Sequence, residues 1–317
     1  MSTDKMTIDA VIPTYRPDDT FYELIRRLLA QKCPLHRIIV MNTGEEFWDE
    51  ERIAKVLDDA GVSEAMLEVH HLRPEDFDHG ATRSAGIRYS SADAVLCMTH
   101  DAIPADRDLT ENLLRALTQE PDIAAAYGRQ LPAKDCRVLE RFTRSFNYPE
   151  ESRIKSEKDL PELGIKTYFC SNVCAVYRRN IWEKLGGFTK KTIFNEDMIY
   201  AAGAVKAGYR IAYAADARVI HSHNYTCMQQ LHRNFDLGVS QADHPEVFDG
   251  VLSEGEGVKM VKKTASWLIR NGHAGLLPEL VLQSGFKYLG YRLGKAYRAL
   301  PEKAVLALTM NRNYWKE

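Results

Sequence analysis

The stretch IDAVIPTYRPDDTFYELIRRLLAQKCPLHRIIVMNTG, residues 8–44, decides the fold. Ile8 to Ile12 reads as a short buried strand that Pro13 ends. Residues 19–32 place Leu24, Ile25, Leu28 and Leu29 on one face, which is helical spacing. Arg37 to Met41 is a second apolar run of strand length. Working outward, residues 49–60 read as a helix, Met66 to Leu72 as a third strand, 80–90 as a helix and Ala94 to Met98 as a fourth strand. Asp108 is placed to cap a helix running to about Gln119, and Ile123 to Tyr127 follows as a strand. Apolar strands separated by helices imply βαβ units, so an α/β fold with a mainly parallel sheet flanked by helices. In such sheets ligands sit beyond the carboxyl ends of the strands, and the residues just after each strand matter most.

The composition agrees with an ordered globular chain. Of 317 residues 45% are hydrophobic and 27% charged, a balance that excludes disorder and collagen-like repeats. Lys and Arg total 42 against 44 Asp and Glu. That near-balance argues against a dedicated nucleic-acid binder, whose footprint is basic. The six cysteines form no CxxC pair, so neither a zinc ribbon nor a redox motif is expected. The start, MSTDKMTIDAVIPTYRP, has no apolar run before a small-residue cleavage site, and no run of about 18 apolar residues follows. The expected compartment is the cytoplasm, with thiols reduced.

Residues 128–166 are charged, contain proline and read as a long irregular excursion over the site. Regular structure resumes with a strand over Tyr168 to Tyr177, a helix near 179–185, and a helix over about 196–207. Strands near 210–214 and 217–221 follow, and beyond about 256 the pattern is wholly helical. The expected division is a catalytic unit over 1–250, split near 130 into a nucleotide-binding and an acceptor half, with a helical extension over 251–317.

Four short polar segments stand where chemistry would be expected. They are Pro13-Thr14-Tyr15-Arg16, Asn42-Thr43-Gly44-Glu45, Thr99-His100-Asp101-Ala102 and Asn195-Glu196-Asp197. Any one alone reads as a turn or a helix cap, with Asn195 as the N-cap of its helix. Their joint placement at strand ends, or at the head of one late helix, favours a site.

With DAVIPTYRP, RIIVMNTG, HGATRSAG, CMTHDAIP, FCSNVCAVYRR, LGGF, FNEDM, VIHSHNY and QLHRNFDLGV in this order, the chain resembles the GT-A fold, family 2 glycosyltransferases, rhamnosyltransferase branch, over about Ile8 to Gly238. The resemblance implies transfer of a sugar, with inversion, from a nucleoside diphosphate donor to an acceptor hydroxyl. It makes Asp197 the general base and gives its catalytic neighbour Glu196 the role of positioning or of hydrogen-bonding the acceptor. It places a Mg²⁺ or Mn²⁺ ion after the fourth strand, where Thr99-His100-Asp101 has lost the first carboxylate of the usual Asp-x-Asp. Asp101 alone is a weak site for such an ion, so His221 or His223 is expected to supply a further ligand, with His221 favoured. The donor is expected to meet Pro13, Thr14, Tyr15, Asn42, Arg83, His100, Asp101 and Arg233. Asn42 stands where the family commonly has Asp. Gly80 and Gly86 are expected to let the helix carrying Arg83 approach a ligand. Ser171, Asn172 and Gly187 are expected near the donor sugar or acceptor.

The sugar implied is L-rhamnose from dTDP-rhamnose, passed to a growing, lipid-linked cell-surface polysaccharide, with a UDP-sugar as the alternative donor. A nucleotidyltransferase is disfavoured because VIPTYRPDD lacks a glycine-rich loop. A non-catalytic scaffold finds its best support in the missing carboxylate. Residues 276–298 mix leucines with Lys287, Arg292, Lys295 and Arg298, a basic amphipathic pattern. It fits a helix packed on the catalytic unit or a homodimer partner, or a peripheral contact with the inner face of the cell membrane.

Overall fold

The computed structural model describes residues 6–250 and 254–316. The first five residues and the expected boundary at 250/251 therefore touch residues outside those described. In chain order, β1 (Ile8–Tyr15), α1 (Asp19–Leu29), β2 (Arg37–Thr43), α2 (Glu50–Asp59), β3 (Leu67–Leu72), α3 (His79–Tyr89) and β4 (Ala94–Met98) form the first half. Then come β5 (Ile103–Pro104), α4 (Leu109–Thr118), β6 (Ile123–Leu131), α5 (Val138–Asn147), β7 (Arg153–Lys155) and α6 (Leu160–Leu163). The remainder is β8 (Cys174–Arg178), α7 (Arg179–Lys184), α8 (Glu196–Lys206), β9 (Arg210–Ile220), α9 (Cys227–Asp243), α10 (Pro245–Phe248), α11 (Glu254–Arg270), α12 (Leu277–Lys295) and α13 (Glu302–Leu308).

The strands lie in one sheet ordered β3-β2-β1-β4-β8-β6-β9-β5, with β7 also on β9. The expectation of a mainly parallel sheet holds for β1 to β4 and for β6 with β9. It fails around β8, which runs antiparallel to both β4 and β6, and at β5 and β7. The sheet is mixed. One crest thus collects the carboxyl ends of β1, β2, β4, β6 and β9 together with the amino end of β8.

Alternation along each strand divides the core between the two faces. Ile8, Ala10 and Ile12 join one cluster with Leu24, Ile25, Leu28 and Leu113, while Val11 joins the other with Ile87, Trp182 and Tyr200. Pro13 does not end β1; it pairs in register with Met41. Pairing with β4 stops at Val11, so the missing proline N–H costs no ladder bond on that side.

Several helix starts are set by side chains. Asp18 caps α1 through Thr20 and Phe21. Asp78 caps α3 by accepting from Ala81 N at 2.7 Å and also accepts from Thr192 N at 3.2 Å, which ties α3 to the loop before α8. Asp108 does not cap α4; its carboxylate pairs with Lys32 at 2.6 Å. Gly80 and Gly86 serve close packing within the protein rather than approach to a ligand. A Cβ at Gly80 would lie 1.9 Å from Thr189 O, and one at Gly86 2.5 Å from Val11 Cγ1.

The excursion over 128–166 is more regular than its sequence suggests, since it holds α5, β7 and α6. The strand expected over 168–177 shrinks to Cys174–Arg178, preceded by a short helical turn at Gly164–Tyr168. The two strands near 210–221 are one, β9, whose register against β6 shifts where Arg129 passes to Arg218.

Helix α12 is docked on α9. A Cβ at Gly290 would sit 2.2 Å from Leu231 O, one at Gly294 2.1 Å from Phe235 O, and one at Gly238 2.4 Å from Tyr291 O. The two backbones touch. Gly290→Ala is expected to cost about 1–3 kcal/mol by overpacking, read from denaturant midpoints. Gly285→Ala, on the same helix with open space at its Cβ, is expected to be neutral or to stabilise by up to ~1 kcal/mol. Equal losses at both positions would refute the crossing.

Candidate active site

The crest holds a cavity of about 340 Å³ whose wall includes Asp101, Asn172, Glu196, Asp197, His221 and Arg233. Residues 101, 197 and 233, far apart in the chain, therefore share one pocket.

Asn195, Glu196 and Asp197 reach it by an unusual turn. Asn195 adopts φ 67°, the left-handed region, and its side chain donates to Ser240 Oγ at 3.1 Å instead of capping α8. Ser240 Oγ in turn donates to Phe194 O at 2.7 Å, so α9 fixes the turn that starts α8. Asp197 Oδ2 accepts from Asn172 N at 2.8 Å, and Oδ1 from Met198 N at 2.8 Å. Glu196 points inward: it accepts from Asn172 Nδ2 at 3.0 Å and pairs with Arg83 Nη1 at 3.1 Å. Tyr177 OH donates to Asn172 Oδ1 at 2.7 Å, which orients that amide.

These environments drive the two carboxyls apart. Burial, then the negative charge of Glu196, pushes Asp197 up to about 7. Burial opposes the ionisation of Glu196 as well, but Arg83, His79 and the Asn172 amide more than offset it and hold its pKa low. Glu196 is the fixed anion, and Asp197 the carboxylate poised to gain or lose a proton. Arg83, expected at the donor, stands in the cavity wall with its side chain 5% exposed and its guanidinium engaged by Glu196 and His79 O.

A second group lies across the cavity. Asp101 Oδ2 is 3.5 Å from His221 Nε2 and 3.3 Å from His223 Nε2, and the two imidazole nitrogens are 3.1 Å apart. Both histidines converge on Asp101, from the loop after β9 rather than from a strand. Their ligand atoms and that of Asp101 all lie within 4.8 Å of one another. Gln130 sets the tautomer of His221. Its Oε1 must face Arg144, which can only donate, and the same oxygen lies 3.0 Å from His221 Nδ1. Nδ1 therefore carries a proton, and Nε2 is the nitrogen that faces Asp101. Burial, reinforced by His221, pushes His223 down to about 4. A carboxylate and two imidazoles are a fitting donor set for Mn²⁺ and related divalent cations.

Arg233, on α9, lies over the Phe194 ring at 4.6 Å and faces the cavity. Thr14 and His100 meet at 3.2 Å, and Thr14 is the register partner of Asn42, so the ends of β1 and β2 continue the crest beyond Asp101. Asn42 is fully buried; its Nδ2 donates to Gly44 O at 3.1 Å while Oδ1 has no partner. Pro13 lies within β1, and Tyr15 is half exposed with its ring edge-on to Phe47. Ser171 accepts from Gln130 Nε2 at 3.1 Å and lines the cavity. Gly187 does not; its φ of 78° makes the turn onto Phe188, with the Trp182 ring where a Cβ would go.

Sequence reasoning missed Gln130, Arg144, Tyr148 and His79, all in the cavity wall. Leu139, Phe142 and Phe146 at helical spacing could have revealed the helix that carries Arg144.

Residues 9–186 match Glycosyl transferase family 2, and the chain belongs to that family. It is an inverting, nucleotide-sugar-dependent glycosyltransferase. Among its relatives, O-antigen chain rhamnosyltransferase RfbN of Salmonella typhimurium is 37% identical over 98% of this chain and 96% of its own. O-antigen chain rhamnosyltransferase WbaN of Salmonella anatum is 42% identical over 77% of this chain and 78% of its own. The fold is similar to that of mannosyltransferase PcManGT from Pyrobaculum calidifontis, solved with GDP-Man and Mn²⁺ (TM-score 0.56, 16% identity, 99% of this chain and 84% of that one). It is also similar to residues 1–349 of S. aureus TarS (TM-score 0.53, 14% identity, 93% and 92% covered).

Breaking the buried Arg83–Glu196 pair leaves a charge uncompensated. Arg83→Met is expected to lose about 3–5 kcal/mol of unfolding free energy, and adding Glu196→Gln to recover a substantial part of it. A denaturant double-mutant cycle measures this, and additive losses would show the pair to be uncoupled.

Proposed function

We propose that the protein transfers L-rhamnose from dTDP-rhamnose, with inversion, to a hydroxyl of a lipid-linked O-antigen-type polysaccharide. Support for the sugar and the acceptor comes from the two rhamnosyltransferase relatives. The observation that carries the chemistry is Asp197, a buried carboxyl lifted to about 7 opposite the Asp101 and histidine group in one cavity.

In this reading Asp197 accepts the proton of the acceptor hydroxyl as its oxygen attacks the anomeric carbon. The raised pKa makes it a stronger base than an ordinary carboxylate, matched to neutral pH. Asn172 N and Met198 N hold both of its oxygens, so the base is aimed before substrate arrives. Glu196 and Arg83 sit behind it as positioning residues. Arg233 offers a guanidinium to the departing diphosphate. Thr14, Pro13, Tyr15 and His100, along the crest beside Asn42, are placed to meet the donor's base. Asp101, His221 and His223 would hold a divalent cation, which neutralises diphosphate charge when bound.

Residues 1–250 serve as the catalytic unit, its donor half over 1–130 and its acceptor half over 131–250. Residues 251–317 carry eleven Lys and Arg against five Asp and Glu, and Val281, Leu282, Tyr288 and Leu289 are exposed. That surface supports peripheral contact with an anionic membrane on the cytoplasmic side, where a lipid-linked acceptor would lie. No helix of the described residues is long and apolar enough to cross a membrane.

Asp197→Asn is expected to lower kcat about 10²–10⁴-fold with donor affinity retained. In the parent, kcat/KM is expected to rise with pH through the neutral range, since the base works only when deprotonated. An acidic limb in the ordinary carboxylate range would remove Asp197 from the role. Titration calorimetry with MnCl₂ alone is expected to show one site in the parent and none in Asp101→Asn or His221→Ala.

A further inference from the structure

A second cavity, of about 450 Å³, adjoins the first, and Phe169 belongs to the wall of both. Its lining carries four aromatic rings, Tyr127, Phe146, Phe169 and Tyr213, among the charged groups of Glu151, Arg153, Lys155 and Lys166. The Phe169 ring meets Tyr127 edge-on at 5.5 Å and Tyr148, a wall residue of the catalytic cavity, at 5.9 Å. The wall is held rigidly. Lys155, 3% exposed, donates to Tyr127 OH at 3.2 Å, to Lys166 O at 3.0 Å and to Phe169 O. Tyr213 OH donates to Pro149 O at 2.6 Å. Beyond it a third hollow, of about 680 Å³ and reaching past β7, shares Ser152, Arg153 and Tyr213 with the second. The hollows run in series from the catalytic cavity to the outer part of the sheet.

Volume says what the series is for. The catalytic cavity, about 340 Å³, is at the low end of the roughly 300–1,000 Å³ of small-molecule sites. The donor's sugar and diphosphate use that space, so an acceptor longer than one sugar must extend elsewhere. An aromatic cavity with a few polar groups is chemically suited to a pyranose. The C–H face of the ring packs on an aromatic face, and its hydroxyls meet polar atoms such as the Glu151 carboxylate and Ser152. We propose that the cavity bounded by Tyr127, Phe146, Phe169 and Tyr213 is a saccharide subsite, which holds a sugar of the acceptor chain set back from the reacting hydroxyl. This rests on the first cavity being the transfer site. The subsite gives the enzyme a means to select an acceptor by the sugars already present.

The test is saturation-transfer NMR on the full chain with the methyl glycosides of L-rhamnose, D-mannose and D-galactose, in the presence and absence of dTDP. At least one glycoside is expected to receive saturation with dTDP bound. That signal is expected to fall about tenfold in Phe146→Ala, which removes a wall, and in Leu163→Trp, which fills the cavity. Phe146→Leu, which keeps apolar volume, serves with thermal melts to separate lost stacking from lost fold, and it too is expected to weaken the signal. The subsite is overturned if no glycoside is saturated, if dTDP displaces it, or if the signal survives both the Ala and the Trp variants. Failure of the transfer reading registers differently, as dTDP and dTDP-rhamnose that do not bind in calorimetry while a glycoside still does.

Discussion

Two carboxyl groups adjacent in sequence are buried at one spot, and the fold must keep them from being two bare charges. Arg83 and Asn172 solve this by taking Glu196 as a permanent anion. The cost of a second nearby negative charge then falls on Asp197 and raises its proton affinity. Much else follows from this arrangement. Helix α3 must lie close enough to deliver Arg83, which is why Gly80 can carry no side chain. Strand β8 must run antiparallel so that Asn172, just before it, arrives at the same crest as the carboxyl ends of its neighbours. The left-handed Asn195 must be held from outside, by Ser240 of α9.

The opposite wall works by the same economy of partners. Gln130 is committed to Arg144, Ser171 and His221 at once. Its amide therefore cannot flip, and the imidazole it holds cannot change tautomer without breaking the set. Thr99 stands where the resemblance expects a first carboxylate, and two imidazoles face Asp101 instead. The site keeps three donor groups while carrying one negative charge fewer than two aspartates would give it.

The first half of the fold was legible because its strands are short continuous apolar runs separated by segments with helical spacing, from Ile8 to Tyr127. The grouping of Asp101, Asp197, His221 and His223 was legible too, but only through the order of short motifs. What the sequence hid is mostly tertiary. Nothing local to CAVYR announces that β8 runs backwards. Arg83 reads as a donor contact because nothing local shows that its partner, Glu196, lies more than a hundred residues away. The excursion over 128–166 looked irregular because α5 is short and its apolar residues pack on Trp267 of the extension rather than on the sheet. Gly187 belongs to a motif near the site, yet its backbone is spent on a turn against Trp182.

The far side of α9 carries one more coupling. Asp236, three residues beyond Arg233, accepts from Thr309 Oγ1 at 2.7 Å and Met310 N at 2.9 Å, and His232 faces Leu308 O at 2.7 Å. Tyr314 and Trp315 pack with Ile193 and Phe194, immediately ahead of the Asn195 turn. Residues 308–315 are thus a brace for α9 and that turn. An affinity tag, a fusion partner or a protease nick placed there would be felt at Arg233 and the turn, even though no residue of the cavity wall had been changed.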